Sequence, residues 1–186
     1  MTTDNKPENK TIAENLRIEK GLAHEEEYFN KLKKKYKKVK NIKILKDLSK
    51  EEKIKETINA LKNGYELIYG GWLASGNWIG ELDFLEIKNN VKSDLGSWSY
   101  EVTDTKNSPK VKKDHIYQVS LYSFLLKEVQ GILPKNFYIL LKNKKKEVIK
   151  LKEVFSTFSL HKKYFEKFIE NDSNKKKLEK DRKSVV

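Results

Sequence analysis

Between residues 65 and 106 the hydrophobic pattern leaves helical spacing for short runs rich in aromatic and β-branched residues, and this switch limits the possible folds more than any other feature. Three such runs, 65–73, 78–87 and 97–106, are separated by Gly, Asn, Ser and Asp turns and read as three consecutive strands, a meander. Helical patterns bracket them. Upstream, residues 11–39 carry a rough apolar stripe of Leu16, Ala23, Tyr28, Phe29, Leu32, Tyr36 and Val39. A second helix is predicted over 49–61, where Ser49 and Glu52 have capping-box spacing and Gly64 provides the stop. Downstream, residues 114–130 return to helical spacing through Ile116, Val119, Leu121, Tyr122, Leu125 and Leu126, and Gly131 and Pro134 end that helix. Two more strands, 136–141 and 147–151, surround a Lys-rich turn, and a last helix over 154–169 fades into charged residues. The expected architecture is a mixed α/β domain in which a mostly antiparallel sheet is flanked by the first helix and the 114–130 helix.

A chain of 186 residues suits one compact domain and leaves little room for a second. The expected division is a polar leader over 1–10, a folded domain over 11–172 and a charged, disordered tail over 173–186. Cysteine is absent, which excludes disulfides, thiolate zinc sites and cysteine-ligated iron–sulfur clusters. No run of about 18 apolar residues occurs that would cross a bilayer, so a cytoplasmic protein is expected.

The formal charge of +13 would attract a polyanion, with nucleic acid the obvious one. Only Arg17 and Arg182 are arginines, however, and an AT-rich coding bias would give the same excess of lysine, so charge is supporting evidence only. Nine lysines and no acid fall within residues 31–46. They read as a phosphate-facing surface or, for most of them with greater weight, as a solvated helix end favoured by the helix dipole.

Hydrolysis of a phosphodiester needs hard oxygen ligands for a divalent cation and a compact positive charge near the scissile group. An acid-x-Lys tripeptide would place a carboxylate and an ammonium on one face of a strand. The pattern occurs six times, beginning at Asp4, Glu8, Glu51, Glu86, Asp104 and Asp181, so no single instance is informative. Four lie in the leader, at a helix start or in the tail. Of the other two, Asp104-Thr105-Lys106 is preferred over Glu86-Ile87-Lys88, because a strand carrying Asp83 precedes it and a helix carrying Gln118 and Tyr122 on one face follows it.

Three ordered segments, Gly80-Glu-Leu-Asp83-Phe-Leu, Trp98-Ser-Tyr-Glu-Val-Thr-Asp104-Thr-Lys106 and His115-Ile-Tyr-Gln118-Val-Ser-Leu-Tyr122, together resemble the RecB-like branch of the PD-(D/E)XK nucleases. The upstream segment Gly21-Leu-Ala-His24-Glu resembles that branch's helical His motif, and Leu82 stands where the family's name implies proline. The resemblance spans roughly residues 20–142. It implies that Asp83 and Asp104 bind Mg2+ or Mn2+, that His24 is a further ligand, and that the Thr105 carbonyl is a main-chain ligand. It further implies that Lys106 positions the attacking water and stabilises the transition state, while Gln118 and Tyr122 orient Lys106 or contact substrate. The implied activity is metal-dependent cleavage of DNA in processing, repair or defence, with a helicase or other DNA-processing protein as a partner.

Each residue also has a plainer reading. Asp104 and Lys106 would form an exposed cross-strand ion pair, Asp83 would cap a turn, His24 would be a surface histidine, and Gln118 and Tyr122 would edge an amphipathic helix. Glu101, an odd step from Asp104, reads as structural. At the level of function, the alternatives are a catalytically silent nucleic-acid-binding module and a nuclease subunit that needs a partner.

Overall fold

The computed structural model describes residues 11–183, and the side chains of residues 11–172. Its centre is one six-stranded mixed sheet whose strands lie in chain order. They are β1 (Val39–Asn41), β2 (Leu67–Ser75), β3 (Trp78–Ser93), β4 (Gly96–Lys106), β5 (Asn136–Leu141) and β6 (Lys146–Lys150). Strands β2, β3 and β4 form the antiparallel meander, β5 pairs antiparallel with β6, and β1 and β5 join β2 and β4 in parallel. Four helices complete the domain: α1 (Ile12–Lys33), α2 (Lys50–Lys62), α3 (Lys113–Gln130) and α4 (Leu151–Lys183).

Local signals set most helix ends. Thr11 and Glu14 close a capping box on α1, and Ser49 and Glu52 do the same on α2, each such cap contributing about 1 kcal/mol. Gly131 ends α3 in the left-handed conformation at φ +74°. Two expectations need correction. The first helix stops at Lys33 and Val39 opens the short strand β1, because residues 39–41 gain a parallel partner in β2 that outweighs weak helical periodicity. The charged segment expected to be disordered from residue 173 continues α4 as far as Lys183; its Lys and Glu are good helix formers extending a helix already anchored by buried Leu151 and Phe158. The leader, 1–10, lies outside the described residues.

Two apolar clusters hold the sheet between its helices. The larger one joins α2 and α3 to the sheet through Leu61, Ile68, Leu85, Tyr100, Val102, Val119, Leu126 and Phe137. The smaller one joins α1 to the sheet through Tyr28, Phe29, Leu32, Leu67, Tyr69, Phe84 and Leu140. Its rings interlock: Phe29 stacks on Tyr69 at 4.2 Å, Tyr69 on Phe84 at 5.0 Å, and Tyr28 meets Phe84 edge-on at 5.2 Å. This packing fixes α1 along the sheet and decides what lies one helical turn upstream of Phe29.

Candidate active site

The β3–β4 ladder runs from Asn89↔Trp98 to Phe84↔Thr103. One step further along that register Asp83 stands opposite Asp104, and there pairing ends. On its other side β3 also loses its partner at the same point, since Gly70 of β2, at φ +68°, interrupts the ladder between Tyr69↔Phe84 and Gly71↔Leu82. A backbone N–H freed by such splaying needs another acceptor. Thr105 supplies the outcome: its N–H and its hydroxyl both donate to Asp83 Oδ2, each at 2.7 Å. Asp83 is thereby locked against β4, beside Asp104.

Asp104 is 1% exposed, and Lys106 Nζ lies 2.6 Å from its Oδ2. Burial, then the negative charge of Asp83, push the Asp104 carboxyl up to about 7 against the opposing pull of Lys106. A third carboxylate joins them from α1. Glu25 sits one turn before Phe29, on the face that buries Tyr28, Phe29 and Leu32, and is itself buried. Its carboxyl is also raised, first by burial and then by Asp83, with Lys43 opposing. Lys43 reaches Glu25 Oε1 at 2.5 Å by laying its stem across Gly70, where a Cβ would fall 2.2 Å from Lys43 Cγ. Both Glu25 Oε1 and Asp104 Oδ2 are buried without a well-directed hydrogen bond; the two ammonium groups meet them at ion-pair distance but off the favourable direction.

Helix α3 closes the other side. Gly80 gives the Tyr122 ring its space, since a Cβ there would lie 2.7 Å from Tyr122 Cε1. Gln118 Nε2 donates to the Tyr122 hydroxyl at 2.6 Å. Burial chiefly, and then the charges of Asp104 and Asp83, hold the Tyr122 phenol protonated well above its ordinary range. His115 of the same helix accepts from the Lys112 N–H at 3.2 Å. Burial, with Lys106 among the nearby charges, depresses its pKa.

Of the residues the sequence singles out, Asp83, Asp104, Thr105, Lys106 and Tyr122 come together, with Gln118 attached through Tyr122. The His24 ring is directed elsewhere: Nε2 lies 3.5 Å from the Leu140 carbonyl oxygen, on a cleft lined by lysines. Sequence reasoning passed over Glu25 and Lys43. The signal for Glu25 was its place on the apolar stripe, three, four and seven residues before Tyr28, Phe29 and Leu32, where an unpartnered charge is costly. Lys43 had no signal among its neighbouring lysines.

Glu86 and Lys88, the competing tripeptide, are engaged elsewhere. Glu86 accepts from Thr103 Oγ1 at 2.6 Å, Tyr36 at 2.9 Å and Lys146 at 2.9 Å. Lys88 pairs with buried Glu101 at 3.1 Å, and Glu101 also accepts from the Asn136 N–H at 2.9 Å and the Tyr138 hydroxyl at 2.8 Å.

No protein-family model matches the chain, and no curated protein matches it either. The fold and the site define a mixed α/β domain whose sheet opens at Asp83 and Asp104 onto a partly buried cluster of carboxylates and lysines. Among the described residues, no helix is long and apolar enough to cross a membrane.

Proposed function

We propose that the protein is a divalent-metal-dependent nuclease that hydrolyses DNA phosphodiesters in the cytoplasm, within DNA processing, repair or defence, alone or beside a helicase or similar partner. The observation that carries this reading is the placement of Asp83 and Asp104 where the ladder opens, near enough to Glu25 for the Asp83 charge to raise the carboxyls of both Glu25 and Asp104, with Lys106 against Asp104. Two buried acids, Glu25 and Asp104, whose carboxyls are raised by burial and by the charge of half-buried Asp83, are a costly arrangement for stability alone and a useful one for a cation.

The donor chemistry fits Mg2+ or Mn2+: Glu25, Asp83 and Asp104 offer hard oxygens, and two of those oxygens lack a well-directed partner. Among the described residues no three such groups are drawn around one point, and Lys43 and Lys106 provide the positive charge instead. Glu25 is better placed than His24 to complete the ligand set. The Thr105 carbonyl stays a candidate ligand while its N–H and hydroxyl orient Asp83. When bound, the cation would neutralise charge on the phosphoryl oxygens and acidify a water.

The chain's own residues do the rest. Lys106 presents an ammonium beside Asp104, where it orients the attacking water and offsets the negative charge gathering on the phosphoryl oxygens as the water oxygen bonds to phosphorus and the P–O bond to the leaving oxygen breaks. Tyr122, held by Gln118 and kept protonated, offers a hydroxyl to the substrate side of the site. Lys43 pairs with Glu25 and is the group that must yield when a cation enters.

The pairing of each free carboxylate oxygen with a lysine also favours a second reading, nucleic-acid binding without catalysis, in which the lysines permanently replace the cation. Purified protein incubated with end-labelled and circular DNA and RNA, in Mg2+, Mn2+ or excess EDTA, separates the two. Metal-dependent cleavage of DNA is expected; cleavage undiminished by EDTA, or none in either metal, removes the proposal.

A further inference from the structure

Beside the carboxylates, on the α1 side of β5, lies a cleft of about 320 Å³. Its walls are His24, Tyr28 and Lys31 of α1 and Lys34 just past its end, with Leu140 and Lys144 at and beyond the end of β5. Two features join it to the site. His24 is the chain neighbour of Glu25, and Leu140 pairs with Thr105, the residue that holds Asp83. The charge changes sign across that short distance, from three acids to three lysines, with Glu27 the one acid in the cleft wall and already tied to Lys144. Lys31 in the last turn of α1 and its C-cap Lys34 sit one turn apart, whereas Lys33 and Lys35 of the same run lie over the rings of Phe29 and Tyr36. The remaining wall is Asn30 with the apolar Leu140 and Tyr28 ring.

A cleft with cations on one wall, an apolar patch and a histidine 3.5 Å from a backbone carbonyl suits a ligand with a phosphate at one end and a flat, weakly polar body at the other. We propose that the cleft binds one nucleotide of the substrate strand next to the scissile phosphodiester, with its phosphate among Lys31, Lys34 and Lys144 and its base against Leu140 and Tyr28. The inference rests on the nuclease reading for the word substrate, but the nucleotide site itself can be tested without cleavage. It assigns His24 to the strand and not to a metal. It also gives the 31–46 lysine run a division of labour: Lys31 and Lys34 meet phosphate, while Lys37 and Lys46 are solvated.

The test uses the full chain, in EDTA. Titration with thymidine 5′-monophosphate and, separately, thymidine, followed by amide NMR shifts, is expected to give saturable shifts at His24, Lys31, Lys34 and Lys144, with the monophosphate binding more tightly. The Lys31→Gln/Lys34→Gln double variant should weaken both this binding and the affinity for a 20-nucleotide single strand by about tenfold, with a flatter salt dependence. Lys37→Gln/Lys46→Gln removes the same charge outside the cleft and should change the strand affinity less than about twofold. Comparing 5′-phosphoryl with 5′-hydroxyl strands tells an end phosphate from an internal one, the first losing affinity when the phosphoryl group is removed and the second not. Equal losses in the two double variants, or no saturable shift at the cleft, overturn the proposal. Saturable binding in a protein that cleaves nothing in Mg2+ or Mn2+ upholds the cleft and removes the nuclease reading.

Discussion

Lys106 and Lys88 occupy equivalent places in two acid-x-Lys tripeptides, yet their surroundings give them different work. Lys106→Met keeps most of the stem and removes the charge beside Asp104, so cleavage should slow by about 10² to 10³ while folding persists, as single-turnover rates and circular dichroism would show. Lys88→Met instead leaves Glu101 buried and short of a cation; it should cost about 1–3 kcal/mol in urea unfolding and leave the rate per folded molecule unchanged. Glu86 gives a pH signature. Burial alone would raise its pKa, but Lys146, Thr103 and Tyr36 more than offset this and hold it below the ordinary value. A depressed folded-state pKa means that the stabilisation is present above the unfolded pKa and is lost as pH falls through the folded one. Glu86→Gln should therefore destabilise more at pH 7 than at pH 4; an equal loss at both would show that the charge contributes nothing.

At the scale of elements, the site is a consequence of two strands parting. Beyond Phe84↔Thr103 the ladder stops, and Gly70 opens the other edge of β3 opposite Asp83. The glycine serves two needs at once, a left-handed backbone and room for Lys43. Gly70→Ala should cost about 1–2 kcal/mol in backbone strain and also displace Lys43. The measurable consequence is a lower melting temperature accompanied by altered metal affinity; a variant that melts like wild type would show that β2 tolerates the side chain and that Gly70 does not shape the site. Helix α1 contributes by its register. The Phe29–Tyr69–Phe84 stack fixes it lengthwise, so Glu25 is buried within reach of the Asp83 charge and His24 lies against Leu140. Glu25→Gln should accordingly weaken Mn2+ binding by at least about tenfold in calorimetry, whereas His24→Ala should leave it nearly intact.

For the molecule as a whole, a cation that binds only the folded state stabilises it by about 2.7 kcal/mol at a hundred times its dissociation constant. In a domain of this size that is a rise of roughly 5–10 °C in Tm. Mn2+ should produce such a rise in wild type and none in an Asp83→Asn/Asp104→Asn variant, by differential scanning fluorimetry. An equal rise in both would place the metal elsewhere.

Much of the fold was legible because its signals are local. The capping boxes at Thr11 and Ser49, the stop at Gly131 and the alternation in β2, β3 and β4 depend on residues a few positions apart. Sequence by itself therefore determined the helices, the meander and the motif strand that carries Asp104. It missed β1, whose three residues are held by pairing to β2, and the continuation of α4 to Lys183. Of the site, Asp83, Asp104, Lys106, Gln118 and Tyr122 were readable because they follow one another along elements whose order the chain already states. Tertiary structure alone decided that Glu25 and not His24 faces the acids, that Lys43 of the lysine run enters the site, and that Glu86 is satisfied by partners as far along the chain as Tyr36 and Lys146. The reason is physical: a helix carries both neighbours, His24 and Glu25, with equal ease, and only the packing of α1 on the sheet chooses which of them is buried.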